Sequence, residues 1–268
     1  MNDNEMMNDN EQNQQSKPPI IAVQDITFGY KRKQSVLEHV SFDVPKGQSL
    51  AILGYNGVGK TTLFNLIVGL LRPWSGQAII NKRYVPSMRD VFEMTEQANM
   101  INSMTVRDNI KFRKLLFDNR KARKADAKTI DLATLEDQKL VQAFGIGEHL
   151  DKKVSDLSSG LRKRAGLVAG MLLDPHVIML DEPTNSVDPL TRQLLVDYIN
   201  QLRADGRTIL TITHDLHYCW EVADRIIILD HKRLIADHMI VDFPTFEEFE
   251  KAATLGREKT HVDFGIND

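Results

Sequence analysis

The chain has 268 residues, 42% of them hydrophobic and 26% charged, with 34 Lys and Arg against 37 Asp and Glu for a formal net charge of -3. That length fits one α/β domain or a core carrying a subdomain, and the apolar content excludes a chain that is disordered throughout. The acidic balance argues against non-specific nucleic-acid binding, which needs a basic surface. The single cysteine, Cys219, excludes an intrachain disulfide and reads as a small core residue in a reducing compartment.

Residues 1–17 are rich in Asn, Gln, Asp and Glu and read as a disordered polar tail. They hold no apolar segment of the kind a secretory signal requires. The longest apolar stretches, 165–173 and 177–180, fall well short of the ~20 residues of a spanning helix. The expectation is a protein at the cytoplasmic face of the membrane, peripheral to it, reaching the bilayer only through a partner. Order begins at Pro18-Pro19, and Ile20 to Val23 reads as a strand.

Residues 49–53 (SLAIL) form a short apolar run, read as a buried strand. They lead into GYNGVGKTT, comprising Gly54, Tyr55, Asn56, Gly57, Val58, Gly59, Lys60, Thr61 and Thr62. The pattern G-x-x-x-x-G-K-[ST] between a strand and a helix is a phosphate-binding loop. Glycines permit a tight turn whose N–H groups face inward, and the following helix N-terminus favours an anion. Lys60 is placed to reach the β- and γ-phosphates of ATP, and the Thr61 hydroxyl to bind Mg²⁺. The periodicity predicts a helix over 60–71, with Leu63, Leu66, Ile67 and Leu70 on its apolar face.

Residues 105–150 are charged and lack strand-like runs, so a mostly helical insertion is expected between two halves of the core. The basic run 111–128 is interleaved with acids and reads either as a solvated helix face or as a docking patch. Strand-like runs resume at 177–180 (VIML), 208–213 (TILTIT) and 226–229 (IIIL), with a helix over 190–204 carrying Leu194, Leu195, Tyr198 and Leu202. Strands alternating with helices imply a parallel sheet covered on both faces.

The 177–180 run ends in Asp181 and Glu182, at the sheet edge where ligands gather in such folds. Asp181 can orient Mg²⁺, and Glu182 can act as general base on an attacking water. His214 ends the 208–213 run, beside the same site, and could hydrogen-bond a terminal phosphate. His217, three residues on, suggests a metal pair with His214, but no further ligands accompany it. Phe243, Phe246 and Phe249 sit at helical spacing and suggest a short amphipathic helix packed back on the core.

The order GYNGVGKTT, Gln97, LSSGLRKR, VIMLDEPTNSVD and THD resembles an ABC ATPase subunit over residues 20–242. The resemblance implies a P-loop NTPase core with a parallel-rich sheet, a small antiparallel β region and an inserted helical subdomain at about 98–164. It divides the chain into the tail 1–17, a single ABC ATPase domain at 18–242 and a C-terminal extension at 243–268. It further implies that Tyr30 stacks on adenine, with Val36 beside it, and that Gln97 meets Mg²⁺ and the lytic water. Ser158, Ser159 and Gly160 would contact ATP held by a second ATPase subunit, and Asp188 would communicate across that dimer. The signature departs from the usual LSGGQ at Ser159 and Leu161. The implied partners are a second ATPase subunit, identical or related, and one or more polytopic membrane permease subunits; nucleic acid is not expected. The implied activity is ATP hydrolysis coupled to transport, leaning towards export on the short stretch Gly76 to Gln97 and the loosened signature. Met88, Met94, Met100 and Met104 could adapt to an inserted helix of the permease or could be ordinary core methionines. A soluble ABC-type ATPase not coupled to transport is the alternative.

Overall fold

A computed structural model describes residues 17–95, 98–118 and 131–255. In chain order the strands and helices are β1 (Ile21–Phe28), β2 (Leu37–Val44), β3 (Ser49–Leu53), α1 (Lys60–Ile67), β4 (Ser75–Ile80), β5 (Val91–Met94), α2 (Val106–Asp118), α3 (Lys139–Ala143) and α4 (Ser159–Met171). They continue with β6 (Val177–Asp181), α5 (Pro189–Ala204), β7 (Thr208–Ile212), α6 (Leu216–Val222), β8 (Arg225–Asp230), β9 (Arg233–Met239) and α7 (Phe246–Ala253).

A six-stranded sheet runs in the order β5-β6-β7-β3-β8-β9, parallel throughout except where β9 returns antiparallel to β8. Its central strands β3, β6 and β7 are buried at every residue, as continuous apolar runs in a two-sided parallel sheet should be. Strand alternation divides their side chains between the two faces of the sheet. Leu50, Ile52, Val177 and Met179 pack with Leu63, Phe64 and Ile67 of α1 and with the inner face of a second sheet, β2-β1-β4. Ile178 and Leu180 face the other way, towards α4 and α5, while Ala51 and Leu53 face α6 and α7. The second sheet is antiparallel, and β2 alternates buried and less buried residues along its length.

The first strand is longer than the four residues expected, because β1 bulges at Asp25 rather than ending there; that residue has a φ of 51°. Helix α1 is shorter than expected. Its C-cap at Val68 is followed by Gly69 at a φ of 78°, which turns the chain out, so Leu70 is exposed while Leu63, Leu66 and Ile67 are buried.

Among the described residues of 105–150, α2, α3 and short 3-10 turns are present and no strand is. Val106 and Ile110 of α2 join Val141, Phe144, Ile146, Leu150 and Leu157 in one core with α4. Only part of the basic run 111–128 lies within the described residues, and it is not a uniformly solvated face. Arg113 is pulled inward: its guanidinium lies 5.6 Å from the Phe92 ring centre and donates to the Asn99 carbonyl at 2.8 Å. The methionines also divide: Met94 is core, Met100 packs against it and Met88 is exposed. A methionine surface of four residues is therefore not formed.

At the C-terminal end Phe243 precedes α7 rather than sharing its spacing. All three phenylalanines nevertheless meet: Phe249 is fully buried, 5.7 Å from Phe243, 5.8 Å from Phe246 and 5.4 Å from Trp220 of α6, ring centre to ring centre.

Candidate active site

The ends of β3, β6 and β7 are brought side by side by the sheet order, so three segments far apart in sequence converge. Tyr30, Val36, Asn56, Gly57, Gly59, Lys60, Thr61, Thr62, Asp181 and Glu182 line one cleft of about 310 Å³. Its floor is the loop at 54–59. Gly59 caps α1 in the left-handed region at a φ of 106° and offers no side chain to the helix N–H groups, which therefore face the cleft. A Cβ at Gly59 would also lie 2.9 Å from Leu37 and 3.0 Å from Val36, so both the conformation and the space demand glycine.

Lys60 is buried at the centre of the loop, its Nζ donating to the carbonyls of Gly54 at 2.6 Å and Tyr55 at 3.1 Å. Burial pulls its ammonium below the ordinary lysine value, and the carboxylates of Glu182 and Asp181 oppose that shift. The Thr61 hydroxyl donates to Asp181 Oδ2 at 2.7 Å. Two hard oxygens facing each other beside a phosphate loop are the donor set that a Mg²⁺ ion with water and phosphate ligands accepts.

Glu182 is 8% exposed and takes a φ of 49°, a left-handed backbone that costs a non-glycine residue about 1–2 kcal/mol. Its N–H donates to the Ile212 carbonyl at 2.8 Å, and His214 Nδ1 lies 3.0 Å from its carboxylate. His214 is followed at once by α6, whose N-cap Asp215 accepts from the Tyr218 N–H at 2.9 Å and from Arg192 Nε at 3.1 Å. Burial raises the Asp215 carboxyl, but the Arg192 and Tyr218 hydrogen bonds outweigh it and the net shift is downward. His217 stacks on Phe246 with ring centres 4.2 Å apart, whereas His214 Nδ1 faces Glu182, so the two rings have different partners. Among the described residues no group of three metal-ligating side chains occurs.

Tyr30 stands at the cleft mouth, 64% exposed, held by its hydroxyl 3.1 Å from Thr62 Oγ1 and by an edge contact with Phe28. A flat ring presented to solvent this way is available for stacking. Gln97 lies outside the described residues.

The residues of the LSSGL segment do not line this cleft. Ser158 caps α4 by accepting from the Leu161 N–H at 3.3 Å, and Ser158 and Ser159 are exposed. Ser159 borders a second, more polar cleft with Asn99, Asn102, Arg162, Lys163 and Asn185. Asp188 caps α5, accepting from the Thr191 N–H at 3.0 Å and its hydroxyl at 2.6 Å, bonds that hold its carboxyl below the usual range.

Two residues escaped the sequence reading. Lys163 of α4 is 6% exposed, and its Nζ donates to the carbonyls of Glu182 at 2.5 Å and Asn185 at 2.9 Å. The available signal was a cation on a helix whose residues 165–171 are all buried. Glu93 of β5 pairs with Met179 in register and shares the sheet face of Asp181. Burial, and secondarily the Asp181 charge, raise its carboxyl above the ordinary value. A carboxylate on an otherwise apolar strand was the signal there.

The chain matches the ABC transporter family over residues 37–185. An energy-coupling factor transporter ATP-binding protein EcfA1 of Bacillus licheniformis is 33% identical over 228 residues, covering 81% of this chain and 78% of the relative. A Nod factor export ATP-binding protein I of Rhizobium meliloti is 31% identical over 238 residues, covering 85% and 68%. The dimeric post-hydrolysis state of the ATP-binding cassette MJ0796 bound to ADP and Pi superimposes with a TM-score of 0.70 at 22% identity, covering 82% of this chain and 98% of that one. This protein belongs to the ABC transporter family. It is an ATP-binding, ATP-hydrolysing subunit of that family, built on a P-loop α/β fold.

Proposed function

We propose that the chain is the motor of a membrane transporter, working at the cytoplasmic face as a pair of ATPase subunits docked on a polytopic permease. The observation that carries the reading is the convergence at one cleft of a phosphate loop, a Thr61–Asp181 hydrogen bond of 2.7 Å and a Glu182–His214 contact of 3.0 Å. Tyr30 stacks on the adenine. Lys60, the inward N–H groups of the loop and the α1 N-terminus take up the phosphate charge. Thr61 and Asp181 would hold Mg²⁺, with Gln97 as a third ligand by resemblance, and the ion would supply neutralisation of phosphate charge. Glu182 accepts a proton from a water whose oxygen attacks the γ-phosphorus. The bond to the β–γ bridging oxygen breaks and ADP leaves. His214 steadies the Glu182 carboxylate and the departing phosphate.

Ser158, Ser159 and Gly160 lie outside the cleft of their own chain, which supports their acting on ATP held by a second subunit, with Asp188 beside that interface. Among the described residues no helix is long and apolar enough to cross a membrane. The division into a tail at 1–17, an ATPase domain at 18–242 and an extension at 243–268 belongs to the same proposal. For direction we propose export, supported by the LSSGL signature, by the short stretch from Gly76 to Gln97 and by the similarity to a Nod factor export protein. Import is the second reading, favoured by the similarity to EcfA1 of an energy-coupling factor transporter.

Glu182→Gln tests the core of the proposal. It retains ATP binding while turnover falls about 100- to 10,000-fold, the range a positioned general base supplies. Hydrolysis at the native rate would remove Glu182 from the mechanism.

A further inference from the structure

We propose that Lys163 is a positioning residue that couples the signature segment to the general base. The proposal rests on the reading of Glu182 as that base. Lys163 lies on α4, five residues after the N-cap Ser158. Its buried ammonium donates to two carbonyls of the loop that follows β6, those of Glu182 and Asn185. The Glu182 peptide is thereby gripped on both sides: its N–H is held by Ile212 of β7 and its carbonyl by Lys163 of α4. Glu182 needs such a grip, because its left-handed backbone is one an L-residue leaves readily when nothing holds it.

The second bond, to Asn185, reaches the segment that passes Ser186 and enters α5 through the Asp188 cap. Gly160 lies against that same segment, where a Cβ would sit 3.2 Å from the Ser186 carbonyl. The first turn and a half of α4 therefore touches the Glu182 loop at two points, one by close packing and one by hydrogen bonds. A ligand engaged by the exposed Ser158 and Ser159 bears on this turn, and Lys163 passes any displacement to the Glu182 backbone. A general base misplaced by about 1 Å can lose up to about 100-fold in rate. Lys163 touches no substrate in this arrangement; it acts through Glu182.

The test uses the full chain and compares Lys163→Met, which keeps the unbranched stem but has no donors, with Lys163→Arg, which restores them. The expected result for Lys163→Met is a kcat lower by about 10- to 100-fold, with the Kd for a fluorescent ATP analogue within twofold of native. Lys163→Arg recovers most of the lost kcat. Native kcat in Lys163→Met overturns the proposal, and so does a loss of kcat and nucleotide binding together that Lys163→Arg fails to restore. Should Lys163→Met not fold, Lys163→Gln takes its place: its donor is one bond shorter, so kcat falls at unchanged Kd, and native kcat again overturns the idea. Glu182→Gln is measured alongside. If that variant turns over normally, the premise about Glu182 fails. If it is inactive while Lys163→Met is native, only the coupling fails.

Discussion

Lys60 shows how a single side chain is held ready for an anion. Its ammonium is buried, bonded to two loop carbonyls and flanked by two carboxylates, so it is desolvated before any phosphate arrives. Lys60→Ala removes a charge-assisted contact worth about 1.5–3 kcal/mol, so ATP affinity drops about 10- to 100-fold in a direct binding titration. Unchanged affinity would detach Lys60 from the nucleotide. Glu93 gives a second expectation at this scale, visible in pH. Its carboxyl is raised in the fold, so the folded chain binds its proton more tightly than the unfolded chain does. Stability from this group is therefore highest below the ordinary glutamate value of about 4.3 and declines as pH rises through the higher folded value. Glu93→Gln abolishes that decline: thermal unfolding without nucleotide should show a higher Tm than native at pH 7 and no gain near pH 4. A uniform gain at both pH values would mean that packing, not ionisation, is responsible. At this scale the sequence was most informative where spacing itself carries the chemistry, as in GYNGVGKTT. Lys163 and Glu93 were less visible, because their meaning depends on partners more than fifteen residues away that only folding brings near.

Among the elements, α4 approaches its neighbours unusually closely through two glycines four residues apart. A Cβ at Gly166 would lie 2.6 Å from the Ala98 carbonyl, and one at Gly170 1.9 Å from the Phe92 ring. Glycine costs a helix interior about 1 kcal/mol relative to alanine. The same substitution at Gly170 drives a methyl into an aromatic ring, and overpacking of that kind costs about 1–3 kcal/mol. Gly170→Ala should therefore lower Tm despite its better helix propensity, and adding Phe92→Leu should recover part of the loss. A Tm at or above native in Gly170→Ala alone would show that the ring moves aside freely. Periodicity locates a helix where an apolar face repeats, as in α5, whose Leu195 and Leu202 are buried. The same periodicity extends past the end of α1, where Gly69 takes a turn that its apolar neighbours Leu70 and Leu71 disguise. The half-buried Arg113 was unreadable for a related reason: a basic run looks solvated until Phe92 and the Asn99 carbonyl are known to lie beneath it.

For the whole molecule, the α/β class followed from the alternation of apolar runs and helices, but the order of strands did not. Nothing in the residues of β3 announces that β7 and β8, more than 150 positions later, will flank it; that order is what brings Thr61, Asp181 and His214 to one edge. Assembly lies at this scale too. If the chain serves a transporter, affinity capture from detergent-solubilised membranes recovers a polytopic membrane protein in stoichiometric amount, and the number of its spans bears on export against import. Recovery from the soluble fraction alone would move the chain to an ATPase uncoupled from transport.

The position of Cys219 has a practical consequence for watching such an assembly work. It is the one cysteine of the chain and is fully buried on α6, in the core where that helix meets Ala51 and Leu53 of β3 and Phe249 of α7. Burial, reinforced by the Asp215 and Glu182 charges, pushes its thiol well above the ordinary cysteine value, so it offers almost no thiolate to an alkylating dye. The native sequence is therefore already a silent background for site-directed labelling. A cysteine introduced at exposed Ser155, three residues before the segment that would meet the partner's ATP, would be the sole reactive handle, and a spin label or fluorophore there could follow the approach of two copies during turnover without first engineering the native thiol away.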